Sequence, residues 1–164
     1  MKKFIYLLFA VGAAVSLTTC SSDSDGEEQS DTGPDFAISE LQGTWIATNL
    51  TFSYSEAGER PDPDFVNIVD EGGSASMIVQ SNGQFVLTID PVDRAAMMVS
   101  GRMFFEDGEY FAIEFDGEDD YEYFAATLSG NTFTINGGPN TAEYDLDLDG
   151  TDDLCSVYLV LQRD

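Results

Sequence analysis

Short segments in which apolar and polar residues alternate recur along much of the chain. Residues 84–89 place Phe85, Leu87 and Ile89 on one face, and residues 109–115 repeat the same spacing. A period of two residues is typical of a β-strand with one buried face. The pattern therefore predicts strands rather than amphipathic helices.

Tight-turn sequences separate these segments and predict three β-hairpins. The turns are Ser81-Asn82-Gly83, Glu106-Asp107-Gly108 and Ser129-Gly130-Asn131. They join residues 76–80 to 84–89, 96–105 to 109–115, and 121–128 to 132–135. Residues 44–54, 142–147 and 155–163 complete the predicted strands. Only residues 63–69 have a spacing that fits a helical turn.

An antiparallel meander of about eight to ten strands exposes two edges unless it closes on itself. We therefore predict an all-β domain over residues 38–164, an up-and-down meander of about eight to ten strands closed into a small barrel. A β-sandwich with the same number of strands and a barrel filled by its own side chains are the alternatives.

The N-terminus has a different pattern, in which Lys2 and Lys3 precede an almost continuous apolar segment over residues 4–15. A transmembrane helix needs about 20 apolar residues, so this segment is more typical of a signal peptide. Residues 17–20, Leu-Thr-Thr-Cys, resemble the lipobox of bacterial lipoproteins, in which the cysteine becomes the lipidated N-terminus after cleavage. We expect a signal peptide over residues 1–19 and a lipid anchor at Cys20. The chain would then belong to the cell envelope, attached to the outer membrane; an ordinary secretory peptide is the alternative.

Residues 20–37 contain many Ser, Asp, Glu and Gly residues and few apolar side chains. Such a segment buries too little surface to offset the entropy lost on ordering. We interpret it as an acidic, flexible tether between the anchor and the barrel. Acidic residues after Cys20 also resemble a surface-export signal of some Gram-negative bacteria, which would place the domain outside the cell. A linker without sorting information is the alternative.

The charge of the chain limits its partners. Removal of residues 1–19 leaves 31 acidic residues, four arginines and neither lysine nor histidine, a formal charge of −27. Nucleic acids and anionic lipid headgroups are bound mainly through Lys and Arg. The composition therefore excludes nucleic acid as a partner and leaves the lipid anchor as the expected attachment to the membrane.

Cysteine and histidine usage argues against common catalytic sites. Lipidation of Cys20 would leave Cys155 without a disulfide partner, and a lone cysteine in an apolar segment is usually a small buried hydrophobe. Because the chain has no His, the Ser-His-Asp and Cys-His arrangements are excluded. We expect no enzymatic activity. A glycosidase with two carboxylates is the alternative, although 31 acidic residues supply such a pair by chance.

Two short motifs lie at the ends of the predicted barrel. Gly43-Thr44-Trp45 forms a GxW motif at the start of the first strand, and Arg163 ends the last strand. Together they resemble the lipocalin superfamily, and more closely the small lipocalin-like domains of bacterial lipoproteins. The resemblance implies that Trp45 closes the base of the barrel and that Arg163 packs over it, a contact of about 0.5–2 kcal/mol. The chain departs from the larger lipocalins in being short and in lacking a clear helix before the last strand.

Residues 145–153 place acidic residues at positions 1, 3, 5 and 9 of a loop, with glycine at position 6. This is the spacing of a calcium-binding loop, where carboxylates and a backbone carbonyl converge on one ion. Position 12 is Ser156 instead of the glutamate of an EF-hand. A solvated loop without an ion is the alternative. The expected Ca²⁺ ligands are Asp145, Asp147, Asp149, Thr151 and Asp153.

Two functions follow from this reading. The first is a non-catalytic binding module for a small apolar or amphipathic ligand. The second is a structural or interaction lipoprotein of an outer-membrane complex, stabilised by calcium and without a small-molecule ligand. A cavity would favour the first function, and a filled barrel with an exposed apolar patch the second. The side chains expected to line a cavity, unless they form the core, are Met77, Met97, Met98, Met103, Phe104, Phe105, Tyr121 and Tyr123.

Overall fold

A computed structural model describes residues 35–57 and 60–164. The predicted signal peptide, Cys20 and most of the predicted tether lie outside the described residues. No helix in the part of the chain that the structure describes has the length and apolar character needed to cross a membrane. After a short 3-10 helix (Ile38–Leu41) the strands are β1 (Gly43–Tyr54), β2 (Phe65–Asn67), β3 (Ser74–Val79), β4 (Gln84–Asp90), β5 (Met97–Glu106), β6 (Tyr110–Phe115), β7 (Tyr121–Ser129), β8 (Thr132–Gly137), β9 (Ala142–Tyr144) and β10 (Asp153–Arg163).

Eight of these strands form a closed antiparallel barrel. The hydrogen-bonded order is β1, β3, β4, β5, β6, β7, β8 and β10, and β10 returns to pair with β1. The two remaining strands are short additions: β2 pairs with the end of β1, and β9 pairs with the start of β10. The predicted all-β, up-and-down meander closed into a barrel is confirmed, and so are the three predicted hairpins.

The strand register defines two ends of the barrel. The closed end carries the start of β1 and the end of β10, where Trp45 pairs with Arg163. The β3–β4, β5–β6 and β7–β8 turns lie at the same end. The open end carries β2, β9 and the loop between β9 and β10.

A β-bulge in β1 keeps its apolar side chains on the inner face of the barrel. The register with β10 shifts between Ala47 and Asn49. Trp45 and Ala47 are buried before the shift, and Leu50 and Phe52 are buried after it. Without the extra residue, strict alternation would turn Leu50 and Phe52 towards solvent. The bulge therefore allows one long strand to contribute to the core along its whole length.

The inner faces of the strands form one apolar core, and none of the buried residues in the described ranges is polar or charged. Trp45, Phe133 and Leu161 are fully buried near the closed end. Phe36 also belongs to this core, since its ring lies 5.3 Å from that of Phe105 and 5.9 Å from that of Phe133. The buried core thus includes a residue of the segment that the sequence assigns to the tether.

Residues 65–67 form β2 instead of the helical turn that their spacing suggested. Backbone pairing with Thr51, Phe52 and Ser53 extends this short segment. A turn follows, in which the Asn67 side-chain carbonyl accepts the N–H of Val69 at 3.1 Å. The tertiary contact with β1 therefore overrides the local apolar spacing.

Candidate functional site

The barrel encloses an apolar cavity of about 350 Å³. Each of the eight barrel strands contributes at least one apolar side chain to its wall. Representative residues are Leu50, Met77, Leu87, Val99, Phe124 and Leu159. These positions follow from alternation: in β5, for example, Met97, Val99 and Met103 face inwards, and Met98 between the first two faces solvent.

Several inward-facing side chains near the open end are only half-buried. Leu87, Met97, Val99, Phe115 and Val157 line the cavity and keep part of their surface accessible. Inward-facing residues of a filled barrel would be fully buried. The interior is therefore packed at one end and hollow at the other.

An aromatic cluster fills the closed end of the barrel. The Phe133 ring centroid lies 5.8 Å from that of Trp45 and 6.1 Å from that of Phe111. Phe36 and Phe105 extend the cluster, with most ring pairs in tilted or edge-to-face arrangements that aromatic quadrupoles favour. This packing plugs the base below the cavity.

The expected contact between Trp45 and Arg163 is present. The Arg163 guanidinium carbon lies 4.2 Å from the centroid of the Trp45 ring. The guanidinium also donates to the carbonyls of Gln42 at 2.6 Å and Glu40 at 2.5 Å, and the Trp45 indole N–H donates to the Leu41 carbonyl at 2.7 Å. Three consecutive carbonyls at the end of the 3-10 helix are therefore satisfied by these two side chains.

Gly43 makes room for this arrangement. A Cβ at position 43 would lie 3.0 Å from Nη1 of Arg163, and the backbone φ of +143° is rarely adopted by residues with side chains. Gly43, Trp45 and Arg163, which the sequence assigns to closure of the barrel, thus meet in one place.

The open end of the cavity is acidic. Glu118 in the β6–β7 loop, Glu122 in β7 and Glu143 in β9 line the cavity and are exposed to solvent. The other polar residues at this end are Asn140 and Thr141, and none of the described residues that line the cavity is basic. The mouth therefore carries a negative potential over an apolar interior.

Only part of the lining expected from composition is found. Met77, Met97 and Met103 line the cavity. Met98, Phe104, Tyr121 and Tyr123 lie on the outer face of the barrel because their positions alternate with inward-facing neighbours. Phe105 faces inwards but packs against Phe36 at the plugged end. The remaining lining residues could have been predicted from their alternating positions in each strand, but not from residue type alone.

The outward aromatic residues form a separate cluster around Glu106. The hydroxyls of Tyr121 and Tyr123 both donate to the Glu106 carboxylate. These hydrogen bonds lower the pKa of Glu106 and raise the pKa of Tyr121. The cluster lies on the outer face of the barrel, opposite the face that lines the cavity.

The acidic loop between β9 and β10 brings three of its predicted ligands together. Carboxylate oxygens of Asp145, Asp147 and Asp149 lie within 4.8 Å of one another. The Asp149 N–H donates to Asp145 at 3.1 Å and to Asp147 at 3.2 Å, and the Gly150 N–H donates to Asp145 at 3.1 Å. Loop amides therefore offset part of the repulsion between these carboxylates.

Thr151 and Asp153 have other contacts. The Thr151 N–H donates to Asp149 at 2.8 Å, and the Asp153 carboxylate accepts the Leu146 N–H at 3.1 Å. Asp153 is not part of the group of three carboxylates. Ca²⁺ is bound by about six to eight oxygen ligands, and these three carboxylates would supply only some of them.

Cys155 is fully buried in β10, beside Tyr144. Burial raises the pKa of its thiol to about 11, so the thiolate is disfavoured at neutral pH. The residue is suited to packing in the barrel wall.

Comparison of the chain with known protein families, with curated proteins and with solved structures finds no match. The closed barrel, its plugged base and its cavity are therefore the observations from which a function is argued.

Proposed function

We propose that the chain is a cell-envelope lipoprotein whose barrel is a non-catalytic binding module for a small apolar or amphipathic ligand. The observation that carries this proposal is the apolar cavity of about 350 Å³, closed at one end and open at the other. Binding pockets for small molecules span about 300–1,000 Å³ and are mostly apolar with a few polar groups. The volume suits a single small ligand.

The base of the barrel supports a lipocalin-like assignment. Gly43, Trp45 and Arg163 make the contacts that the resemblance implies. A rigid base holds the strand ends together while the opposite end stays open, an arrangement that suits a ligand-binding barrel.

The location rests on the N-terminal sequence. The basic residues Lys2 and Lys3, the apolar segment 4–15 and the lipobox-like residues 17–20 support export and lipidation at Cys20. An anchor at Cys20 would keep the barrel in the cell envelope, attached to the outer membrane.

The second candidate is a structural lipoprotein of an outer-membrane complex, stabilised by calcium. The grouping of Asp145, Asp147 and Asp149 at the open end favours a bound cation. A cation there would fix the β9–β10 connection beside the cavity mouth. The cavity itself favours the first candidate, because an accessory without a small ligand has no need for a hollow interior.

Ligand binding is tested with the neutral apolar fluorophore N-phenylnaphthylamine, whose emission rises on transfer from water to an apolar site. We expect saturable binding to the purified full chain. Val99→Trp places a large side chain in the cavity and should reduce the affinity at least tenfold. The matched control is Met98→Trp, which places the same side chain on the adjacent residue of β5. Met98 lies on the outer face of the barrel and is 76% exposed. Equal binding by the two variants would refute a site inside the barrel.

A further inference from the structure

The inner face of β7 contains an exception to the apolar pattern. Phe124, Ala126 and Leu128 are the inward-facing residues along most of the strand. Glu122 lies on the same face by alternation, and it pairs in register with the buried Ile113 of β6. The Glu122 carboxylate therefore lies at the mouth of the cavity, where the apolar interior meets solvent.

Two further carboxylates, Glu118 and Glu143, line the same mouth. Within residues 35–57 and 60–164, none of the three side chains has a hydrogen-bond or salt-bridge partner. Glu114, by contrast, lies on the outer face and pairs with Arg102 at 2.9 Å. The mouth thus concentrates negative charge without an internal cation to neutralise it.

We propose that the cavity selects cationic amphiphiles, meaning a positively charged amine or ammonium head joined to an apolar tail; this inference rests on the proposed function. The tail occupies the apolar interior, and the head remains at the mouth near Glu118, Glu122 and Glu143. The same carboxylates repel anionic amphiphiles such as fatty acids. Selectivity therefore comes from the charge of the mouth, and affinity for the tail comes from the apolar wall.

The test compares three ligands that share one tail. Decyltrimethylammonium, decanol and decanoate compete against N-phenylnaphthylamine on the purified full chain, below the concentrations at which micelles form. The quaternary head has a fixed charge. We expect decyltrimethylammonium to bind more tightly than decanol, and decanoate to bind most weakly. Added sodium chloride should weaken only the binding of the ammonium ligand, because screening acts on charges and not on the shared tail.

Two triple variants separate the mouth from the general charge of the protein. The mouth variant is Glu118→Gln, Glu122→Gln and Glu143→Gln. The control variant removes three exposed acidic side chains at the closed end, Asp107→Asn, Glu109→Gln and Asp164→Asn. Both change the net charge equally. The mouth variant should lose about tenfold in affinity for decyltrimethylammonium, since each exposed charge pair contributes up to about fivefold. The control variant should bind as wild type does.

The outcomes distinguish this inference from the proposed function. Tighter binding of decanoate than of decanol, or an equal loss of ammonium affinity in both triple variants, would overturn the selectivity while leaving a neutral binding site in place. If neither N-phenylnaphthylamine nor any decyl ligand binds wild type, the proposed function itself fails. Loss of ammonium affinity in the mouth variant alone, with decanol unaffected, supports the inference.

Discussion

Replacing Arg163 with alanine removes the side chain that holds the base of the barrel together. The guanidinium stacks 4.2 Å from the Trp45 ring centroid and donates to the carbonyls of Glu40 and Gln42. A partly exposed cation–π contact contributes about 0.5–1 kcal/mol. Each hydrogen bond contributes about 1 kcal/mol net, because water replaces the lost donor at these accessible carbonyls. We therefore expect Arg163→Ala to lower the free energy of unfolding by about 2–3 kcal/mol.

Urea denaturation measures this loss. With a slope of about 2 kcal/mol per molar urea, the midpoint should fall by about 1–1.5 M. Arg102→Ala is the matched control, since Arg102 also lies over an aromatic ring, that of Phe104, and pairs with Glu114 on the exposed outer face. That variant removes the same charge, with one exposed ion pair and one exposed cation–π contact, and should cost about 0.5–1.5 kcal/mol. Arg163→Lys should be intermediate, because an ammonium group cannot reach both carbonyls with the planar geometry of the guanidinium.

A double-mutant cycle with Trp45→Leu isolates the stacking contribution, because leucine has no aromatic ring. If the two side chains interact directly, the summed effects of the single variants Arg163→Ala and Trp45→Leu should differ from the effect of the double variant by about 0.5–1 kcal/mol. A midpoint for Arg163→Ala no lower than that of Arg102→Ala would refute the conclusion that Arg163 secures the base.

Two other predictions concern the anchor and the acidic loop. Cys20→Ala should abolish incorporation of a radiolabelled fatty acid and release the chain from the membrane fraction; continued labelling would show that Cys20 is not the anchor. Calcium should raise the melting temperature more than sodium chloride does at equal ionic strength. At a hundredfold excess of calcium over Kd, binding to the folded state adds about 2.7 kcal/mol to the free energy of unfolding. Asp145→Asn with Asp149→Asn should remove this calcium-specific increase, whereas Asp119→Asn with Asp120→Asn in the β6–β7 loop should retain it. An equal calcium response in the two double variants would identify residues 145–153 as a solvated loop.

The candidate site was only partly predictable, and the reason is geometric. Met98 and Met97 have the same side chain, yet Met97 lines the cavity and Met98 is 76% exposed. Composition does not distinguish adjacent residues of a strand, whereas the face of the sheet does. Glu122 was missed for the same reason: it lies among many acidic residues in the sequence, and only its register opposite Ile113 places it on the inner face.

Local sequence patterns were sufficient to predict most of the strands, the hairpin turns and the meander, because side-chain alternation and turn chemistry act between neighbouring residues. It also predicted the contact of Trp45 with Arg163, through a motif at each end of the barrel. The bulge between Ala47 and Asn49, the strand at residues 65–67 and the burial of Phe36 were not predictable from local patterns and became visible in the folded barrel. The cavity was likewise visible only in the folded barrel. These features depend on how distant strands meet when the barrel closes, and a hollow interior is the space left when the side chains of all eight strands fail to fill it.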